Sequence, residues 1–389
     1  MIKRELEPTL KKLIKLYPVV SLTGPRQSGK STLLQLAFPD YKYVSLEDMA
    51  WRQFVLDDPK GFLEQYSSKI IIDEAQHAPD LFSYLQLTVD QNNKAGRYIL
   101  TGSQNFLLSK NISQSLAGRV GIARLLPLSY RELVNHKIVN SLESLILTGG
   151  YPRIYDKKIP PQLFYADYSD TYLDKDVNTL LKIRELSAFR RLLQLIAVRV
   201  GGELNVASLS RDTGVSVATI NAWLSVLQAS YVVYLLPPYY QNLGKRLTKS
   251  PKLYFYDTGL LCSLIGLESK SQFISSDLRG MIFENFIISE ILKNSFNKRL
   301  TPKQYYWRDS NKNEIDLIVE IGGITKLIEL KLSQTAKAEH AKSVKMVGDL
   351  AKISSNQQFV IYTGNERVKL QGVTYAPWQE FLLSDLSTD

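Results

Sequence analysis

Residues 18–37 read PVVSLTGPRQSGKSTLLQLA, and this stretch decides the fold of the first third of the chain. An apolar, strand-like run enters the loop GPRQSGKS, and an apolar, helix-like run leaves it. The loop matches the pattern G-x-x-x-x-G-K-[ST] of a phosphate-binding loop, with Gly24, Gly29, Lys30 and Ser31 at its fixed positions. The strand before and the helix after distinguish this match from a chance glycine turn. The sequence therefore predicts a nucleotide-binding domain.

The residue types in this loop follow from the chemistry of phosphate binding. Glycines let backbone amides curl around phosphate oxygens, and the following helix directs the positive end of its dipole at the same anion. Lys30 is predicted to reach the β- and γ-phosphates, and the Ser31 hydroxyl to ligate Mg²⁺. The predicted nucleotide contacts are Gly24, Pro25, Arg26, Gln27, Ser28, Gly29, Lys30, Ser31 and Thr32.

A second motif, KIIIDEAQ at residues 69–76, is an apolar strand that ends in two adjacent carboxylates. Asp73 is placed to hold the Mg²⁺ shell, as a Walker B aspartate does. Glu74 projects differently and suits the polarisation of an attacking water. We therefore predict Asp73 as a cofactor-binding and metal residue and Glu74 as the catalytic base.

Further strands complete the prediction of a sheet. Residues 97–103 read RYILTGS, a buried strand after which Ser103, or Gln104 beside it, could sense the γ-phosphate. Residues 42–47 supply another strand, and strands alternating with helices indicate a doubly wound parallel sheet with its site at the carboxyl ends. The stretch NKAG at 93–96 does not match the guanine-reading NKxD motif, so ATP is favoured over GTP.

Two arginines are candidates for stabilising charge in the transition state. Arg26 lies inside the phosphate-binding loop, and Arg119 lies in QSLAGRV, after the third strand. Either could serve, and Arg119 could do so in a neighbouring subunit, which would require a homo-oligomer. The alternative for both is an ordinary surface arginine.

These motifs together resemble a bacterial and archaeal group of the AAA+ superfamily of ATPases. The chain has GPRQSGKS, IIIDEAQ, TGSQ and SLAGR in the order that the group shows. The resemblance implies a P-loop ATPase fold, ATP and Mg²⁺ as ligands, hydrolysis to ADP and phosphate, and a C-terminal domain of unknown function. Lys30, Glu74, Ser103 and Arg119 are then the candidate catalytic residues.

The domain organisation predicted from the sequence is an ATPase domain at 1–142, a helical linker with a winged helix at 143–236, and a third domain at 237–389. In the middle part, short helices at 206–211 and 216–229 flank Gly214, and a strand follows at 231–236. The second helix contains no lysine or arginine, which is unusual for a DNA-reading helix. The alternative to DNA reading, a scaffold or lid packed on the ATPase, is favoured.

The third part begins with a basic segment. Residues 237–312 carry twelve basic against six acidic residues. Tyrosines are interleaved with this segment, a combination that suits a nucleic-acid backbone and its bases, although buried strand tyrosines beside an ordinary loop would look similar. The candidate nucleic-acid contacts are Lys245, Arg246, Lys249 and Lys252.

A carboxylate constellation follows the basic segment. Glu284 lies on an apolar helix face, Asp316 lies on a strand whose Ile315, Leu317 and Val319 are expected on the opposite face, and Glu329 and Lys331 share one face of the next strand. This pattern resembles the PD-(D/E)xK nuclease core. The resemblance implies that carboxylates hold a second Mg²⁺ or Mn²⁺ and that the lysine orients or activates water. The alternative is a fold kept for binding, with an inert site.

Composition sets outer limits on the function. The chain has 389 residues, a net charge of +10 and one cysteine, Cys262, which excludes an intramolecular disulfide. No apolar run approaches the ~18 residues of a membrane helix, so we expect a cytoplasmic protein. The hypotheses are an ATP-driven switch governing a DNA- or RNA-processing domain, and an ATP-gated protein whose inert C-terminal domain docks onto a partner protein. A third, weaker hypothesis is a nuclease whose nucleotide site is structural.

Overall fold

The computed structural model describes residues 2–102, 112, 115–138, 140–173, 186–239, 250–300, 303–309, 311 and 313–385. Three predicted site positions, Lys245, Arg246 and Lys249, and the predicted sensor Ser103 lie outside the described residues.

The amino-terminal part is built on a five-stranded, all-parallel sheet, as the sequence predicts. The strand order is β2-β3-β4-β1-β5, so the strand that enters the phosphate-binding loop lies between β4 and β5. The strands are β1 (Val19–Thr23), β2 (Lys42–Ser45), β3 (Ile70–Asp73), β4 (Tyr98–Gly102) and β5 (Val120–Arg124).

Helices cover both faces of this sheet, and each face has its own apolar core. One core contains Val19, Ile70 and Leu100, and the other contains Val20, Ile71 and Ile99, because alternate strand residues point to opposite faces. This doubly covered sheet is typical of parallel α/β domains. The helices are α1 (Glu7–Leu13), α2 (Lys30–Ala37), α3 (Met49–Asp57), α4 (Pro59–Gln65) and α5 (Leu81–Gln91).

The middle part is helical and ends in a two-stranded antiparallel sheet. The helices are α6 (Tyr130–Asn135), α7 (Leu142–Thr148), α8 (Pro152–Lys157), α9 (Pro161–Tyr168), α10 (Leu186–Val198), α11 (Val206–Thr213) and α12 (Val217–Ala229); the strands are β6 (Val233–Leu236) and β7 (Lys252–Phe255). Gly214, at φ 78°, forms the turn between α11 and α12, where its left-handed backbone favours glycine.

The C-terminal part is a six-stranded mixed sheet of order β12-β13-β11-β10-β9-β8. The strands are β8 (Lys303–Arg308), β9 (Glu314–Ile321), β10 (Ile324–Lys331), β11 (Gln358–Tyr362), β12 (Val368–Leu370) and β13 (Val373–Pro377); the helices are α13 (Thr258–Leu264), α14 (Lys270–Ser275), α15 (Arg279–Asn297), α16 (Lys342–Ala351) and α17 (Trp378–Leu383). The hairpin between β9 and β10 turns at Gly322 and Gly323, both at positive φ.

One continuous apolar core joins the middle and C-terminal parts. It runs from Leu128 to Leu382 and includes residues of α10, α12, α15 and β10. This core crosses the predicted boundary at residue 236, so the last part buries much of its apolar surface against the middle part. Experiments on the C-terminal site therefore use the full chain.

Candidate nucleotide site and C-terminal charged pocket

The phosphate-binding loop has the backbone that the motif predicts. Gly24 follows β1 at φ 151°, and a Cβ there would lie 2.0 Å from the Leu125 carbonyl oxygen, so only glycine fits. Gly29, at φ 90°, is the N-cap of α2, a left-handed conformation that glycine adopts without strain. The loop and the amino end of α2 therefore lie at the carboxyl edge of the parallel sheet, where such folds bind ligands.

The Lys30 side chain folds back over its own loop. Its Nζ donates hydrogen bonds of 2.9 Å to the carbonyl oxygens of Gly24 and Pro25. These carbonyls hold the buried ammonium beside the phosphate-binding loop. A bound phosphate would offer this ammonium a charged acceptor, which makes a stronger hydrogen bond than a carbonyl.

Three side chains meet at the end of β3. The Ser31 hydroxyl donates to Asp73 Oδ2 at 2.7 Å, and the Tyr43 hydroxyl donates to the same oxygen. Burial, followed by the hydrogen bond to Asp73, raises the pKa of Tyr43 well above its ordinary value, so Tyr43 stays a donor. Tyr43 thus orients the predicted Mg²⁺ ligand.

The donor set at this corner fits a magnesium ion. Hydroxyl and carboxylate oxygens are ligands that Mg²⁺ prefers, and Asp73 is buried while Ser31 is half-buried at the loop. Ser31 and Asp73 would hold the ion, which, when bound, supplies positive charge to the phosphate oxygens.

Glu74 leaves the strand in a different direction from Asp73. Its backbone is left-handed, at φ 53°, and its carboxylate accepts a hydrogen bond from the Gln76 side-chain amide. A non-glycine residue in this conformation costs on the order of 1 kcal/mol or more and is often found at functional sites. The Asp73 carboxylate accepts from Ser31 and Tyr43, whereas the Glu74 carboxylate accepts from Gln76, so the two carboxylates have different partners.

The two candidate arginines occupy different places. Arg26 lies half-buried within the loop. Arg119 precedes β5 and makes a two-fold ion pair with Asp90, with N–O distances of 2.5 and 2.9 Å. Since Val120 pairs with Val19 at the start of β1, Arg119 lies at the opposite edge of the sheet from its own phosphate-binding loop. β1 spans roughly 13 Å, which leaves the two predicted alternatives of a role in a neighbouring subunit and an ordinary surface arginine.

The loop is tied to the rest of the molecule by Arg4, which the sequence analysis missed. Its guanidinium donates to the carbonyl oxygens of Ser28, in the loop, and Leu126, after β5, both at 2.7 Å. It also forms a 2.9 Å ion pair with Glu132, whose side chain is 0% exposed. Glu132 in turn belongs to the capping box that begins α6 at Ser129. No local sequence pattern marks Arg4, because its partners are distant in the chain.

The segment after Leu126 is held on its other side by the long helix α15. Glu290 accepts a hydrogen bond of 2.6 Å from the Tyr130 amide, and Lys293 donates at 3.2 Å to the Leu128 carbonyl. Glu290 and Lys293 also pair with each other at 2.7 Å. Both are buried, so α15 holds the backbone of this segment through a compensated ion pair.

A further contact joins the middle part to the ATPase sheet. The Tyr231 hydroxyl, just before β6, lies 2.8 Å from Thr23 Oγ1 at the last position of β1. Thr23 immediately precedes Gly24 of the phosphate-binding loop. Tyr231, like Arg4, therefore connects the loop region to another part of the fold.

In the C-terminal part, the structure brings the predicted acidic constellation together. Lys331 pairs with Glu329 at 2.6 Å, and Asp316 Oδ2 accepts from the Leu330 amide at 2.8 Å. Glu284 approaches from α15, and after burial the electrostatic effect of Asp316 is the largest influence on its carboxyl group. A cavity of about 650 Å³ opens here, lined by residues of the middle part, α15, β9 and β10.

The strand that carries Asp316 does not alternate as predicted. Ile315 packs with Ile318 in one core, whereas Leu317 and Val319 pack in the other. The cause is a β-bulge: Tyr305 pairs with Ile318, but Trp307 pairs with Ile315, so β9 has an extra residue at this point. Bulges of this kind re-aim side chains beside functional sites.

Lys252 is a member of this pocket, not of a surface basic cluster. Its side chain is 3% exposed, and its ammonium pairs with Glu314 and, at 3.4 Å, with Glu284. Tyr254, two residues on, donates to the same Glu284 oxygen. Lys252 was predicted as a nucleic-acid contact, but its burial and these contacts remove it from the surface.

The crowding of charges in the pocket shifts several pKa values. Burial and the nearby Asp316 raise the pKa of Glu284 to about 7 and that of Glu329 to about 8. Burial also raises the pKa of Asp316, against the opposing effect of Lys331 and Lys252. Burial alone lowers the pKa of Lys252, but Glu284, Asp316 and Glu314 more than reverse this and raise it. The ammonium of Lys252 is therefore stable in the pocket.

The predicted second metal site does not take shape around these carboxylates. Within the described part of the chain, no group of three or more His, Cys, Asp or Glu side chains is arranged to hold a metal ion. Lysine ammoniums face Glu284 and Glu329 instead. The residues present thus fit an internally compensated ionic cluster better than a divalent ion.

Among the described residues, no helix is both long enough and apolar enough to cross a membrane.

Comparison with known proteins gives matches along the whole chain. A family model described as an AAA domain matches residues 16–134, and domains of unknown function, DUF8612 and DUF4143, match residues 139–271 and 279–381. An uncharacterized protein of Mycobacterium tuberculosis is 30% identical over 394 residues, covering 100% of this chain and 86% of that protein. An uncharacterized protein of Methanocaldococcus jannaschii is 24% identical over 400 residues, covering 93% and 85%.

Among solved structures, a Walker-type ATPase of Pyrococcus abyssi is 15% identical with a TM-score of 0.44, covering 67% of this chain and 94% of its own. A RuvB structure of Thermotoga maritima is 16% identical with a TM-score of 0.31, covering 64% and 95%.

Proposed function

The chain belongs to the same family as the uncharacterized M. tuberculosis protein, and its amino-terminal part is an AAA domain with a P-loop ATPase fold; from this premise we propose that it binds and hydrolyses ATP and transmits its nucleotide state to the C-terminal domain. The observation that carries the proposal is the contact set of Arg4, which joins the phosphate-binding loop to the segment held by α15. The same helix bears Glu284 of the charged pocket.

The roles of the ATPase residues follow from their positions. Loop amides and Lys30 bind the phosphates, and Ser31 and Asp73 hold Mg²⁺. Glu74 takes a proton from the attacking water, and Tyr43 keeps Asp73 oriented. Ser103 remains the proposed sensor, and Arg119 acts from a neighbouring subunit.

The coupling follows from how few groups separate the two sites. Phosphate binding to the loop is expected to change the position or the mobility of the Ser28 carbonyl. Arg4 donates a hydrogen bond directly to this carbonyl. Arg4 also bonds Leu126, two residues before Leu128, which Lys293 of α15 holds. A packed core responds to such small shifts by rigid displacement of its elements, because it has few voids to absorb them.

Hydrogen–deuterium exchange of the full chain tests this coupling. In a Glu74→Gln chain that retains ATP, we expect ATP to change exchange in the loop, in residues 125–132 and in the C-terminal half of α15. The Lys30→Ala chain, which is expected to lose ATP, should show no change on ATP addition. A response confined to the loop and its flanking strands would contradict the coupling.

For the C-terminal domain, we propose binding to nucleic acid, DNA or RNA. Cleavage is the further chemistry that the PD-(D/E)xK resemblance implies, and it is the part of the proposal that the lysines in the pocket oppose. Glu284, Asp316 and Lys331 line one pocket and Glu329 pairs with Lys331 beside it, and this convergence supports the proposal. Glu329 Oε2 is also buried and accepts no hydrogen bond from the described residues, as an oxygen that awaits a ligand would be. The helix–turn–helix of α11 and α12, followed by the β6–β7 pair, supports a winged helix beside it.

Charge reversal in the basic segment tests nucleic-acid binding. Lys245, Arg246 and Lys249 changed together to glutamate should weaken binding of all sequences alike and reduce the slope of log affinity against log salt by roughly 2 to 3. Lys252 is left unchanged because it is buried. The control is Asn221→Ala on the exposed side of α12. A large loss from Asn221→Ala, with none from the charge reversal, would instead identify α12 as the reader.

The second candidate function is an ATP-gated switch whose C-terminal domain docks a partner protein and cleaves nothing. The observation that favours it is the Lys252 ammonium among the carboxylates of the pocket. A plasmid-cleavage assay with Mg²⁺ or Mn²⁺, with and without ATP, separates the two candidates.

A further inference from the structure

We infer that Lys252 is a built-in cation of the C-terminal pocket, which supplies the positive charge that a divalent metal ion would otherwise supply and leaves the pocket without metal. The inference concerns this pocket alone and does not depend on ATP hydrolysis.

The contacts of Lys252 form a built site for an ammonium. Carboxylates of Glu284 and Glu314 pair with it, and its Nζ lies 5.3 Å from the centroid of the Tyr306 ring. Ring faces attract cations, and more so when both groups are desolvated. A buried ammonium that lacked such partners would cost several kcal/mol. The pocket is therefore shaped to keep this charge.

Lys331 completes the compensation on the other side of the pocket. It pairs with Glu329 at 2.6 Å and interacts electrostatically with Asp316 and Glu284. Each carboxylate of the predicted metal-binding set thus faces a lysine. Lys331 is partly exposed and on an edge of the pocket, whereas Lys252 is enclosed.

Lys252 is also fixed in place by its backbone. β7 pairs with β6 on one side, where Lys252 opposes Leu236, and bridges Glu203 on the other. The Asn285 side-chain amide of α15 bonds both the N–H and the C=O of Phe255, at 2.7 and 2.9 Å. Because these contacts fix the backbone of β7, the Lys252 ammonium is a permanent part of the pocket.

The chemical consequence is a loss of metal-dependent reactivity. A lysine ammonium neutralises carboxylates, but it has no open coordination position at which to bind and activate water. A pocket compensated in this way can still recognise a charged partner. The inference therefore favours docking over cleavage for the C-terminal domain.

Mn²⁺ titration of the full chain, without nucleotide, tests the inference. Every chain carries Asp73→Asn, so that Mn²⁺ bound at the phosphate-binding loop does not contribute. The chain that keeps Lys252 should bind no Mn²⁺. The Lys252→Met chain should bind one equivalent of Mn²⁺, and it should lose that equivalent when Asp316→Asn is added. Lys326→Met, which changes a buried lysine of β10 outside the pocket lining, should bind no Mn²⁺.

Two results would overturn the inference. The first is that the chain that keeps Lys252 binds Mn²⁺ and that Asp316→Asn abolishes this binding, because the pocket would then hold a metal ion with its lysine in place. The second is a folded Lys252→Met chain, judged by circular dichroism, that binds no Mn²⁺. Lys252→Gln is titrated in parallel, since glutamine keeps a hydrogen-bond donor for Glu314 and gives the same answer if the methionine chain unfolds.

Discussion

Replacement of Glu74 by glutamine is expected to lower the rate of ATP hydrolysis at least ~100-fold while leaving ATP binding intact. Glutamine has nearly the same shape as glutamate but cannot take a proton from water. The ligands proposed for Mg²⁺, Ser31 and Asp73, remain, and so do Lys30 and the loop amides. The measurements are phosphate release under saturating ATP and equilibrium binding of labelled ATP.

Two further chains make this result specific. Glu47→Gln removes a carboxylate that also follows a strand of this sheet, but one that is exposed, and it should hydrolyse ATP near the wild-type rate. Lys30→Ala should lose ATP binding, which shows that the binding measured in Glu74→Gln occurs in the phosphate-binding loop. Hydrolysis at the wild-type rate by Glu74→Gln would remove Glu74 from its assigned role.

The parts of the site that the sequence predicts are local in the chain. The phosphate-binding loop is one continuous stretch, and Asp73 and Glu74 end a strand whose apolar character is evident. Parallel strands bring such ends to one edge, so their meeting follows from the strand pattern alone. The meeting of Glu329 and Lys331 was also predictable, because both lie on one regular strand, and Glu284 lies on a helix whose apolar face can be read from periodicity.

The parts that the sequence does not predict depend on contacts between distant segments. Lys252 looks like a member of the basic stretch GKRLTKSPK, and only the pairing of β7 between β6 and Glu203 buries it beside Glu284. The bulge at Asp316 breaks a two-residue period that the sequence itself keeps. Arg4 lies in a charged amino terminus that resembles a solvated helix start, yet its partners are 24 to 128 residues away.

Arg4 is the residue for which we expect the largest loss of stability. Arg4→Met should lower the free energy of unfolding by about 3–5 kcal/mol, because it leaves the Glu132 carboxylate buried without its cation. Methionine matches much of the side-chain volume, so the cost arises from charge and hydrogen bonds and not from a cavity. Urea denaturation of the full chain measures the change. The matched control, Arg119→Met, breaks the exposed pair with Asp90 and should shift the midpoint little.

A double-mutant cycle separates the ion pair from the other contacts of Arg4. Glu132→Gln removes the charge and keeps one side-chain oxygen, which can accept from either the Glu5 amide or the Ser129 amide but not from both. If the pair itself is the source of the stability, the chain with both Arg4→Met and Glu132→Gln should be more stable than the sum of the single changes predicts, by about 1–3 kcal/mol. Strict additivity would instead assign the loss to the hydrogen bonds that Arg4 donates to the carbonyls of Ser28 and Leu126, and these are the contacts that connect the phosphate-binding loop to α15.

In either case the double variant lacks Arg4, so ATP should no longer alter hydrogen exchange in α15 even where stability is recovered. An ATP response that persisted there would require a route that bypasses Arg4, such as the contact between Tyr231 and Thr23.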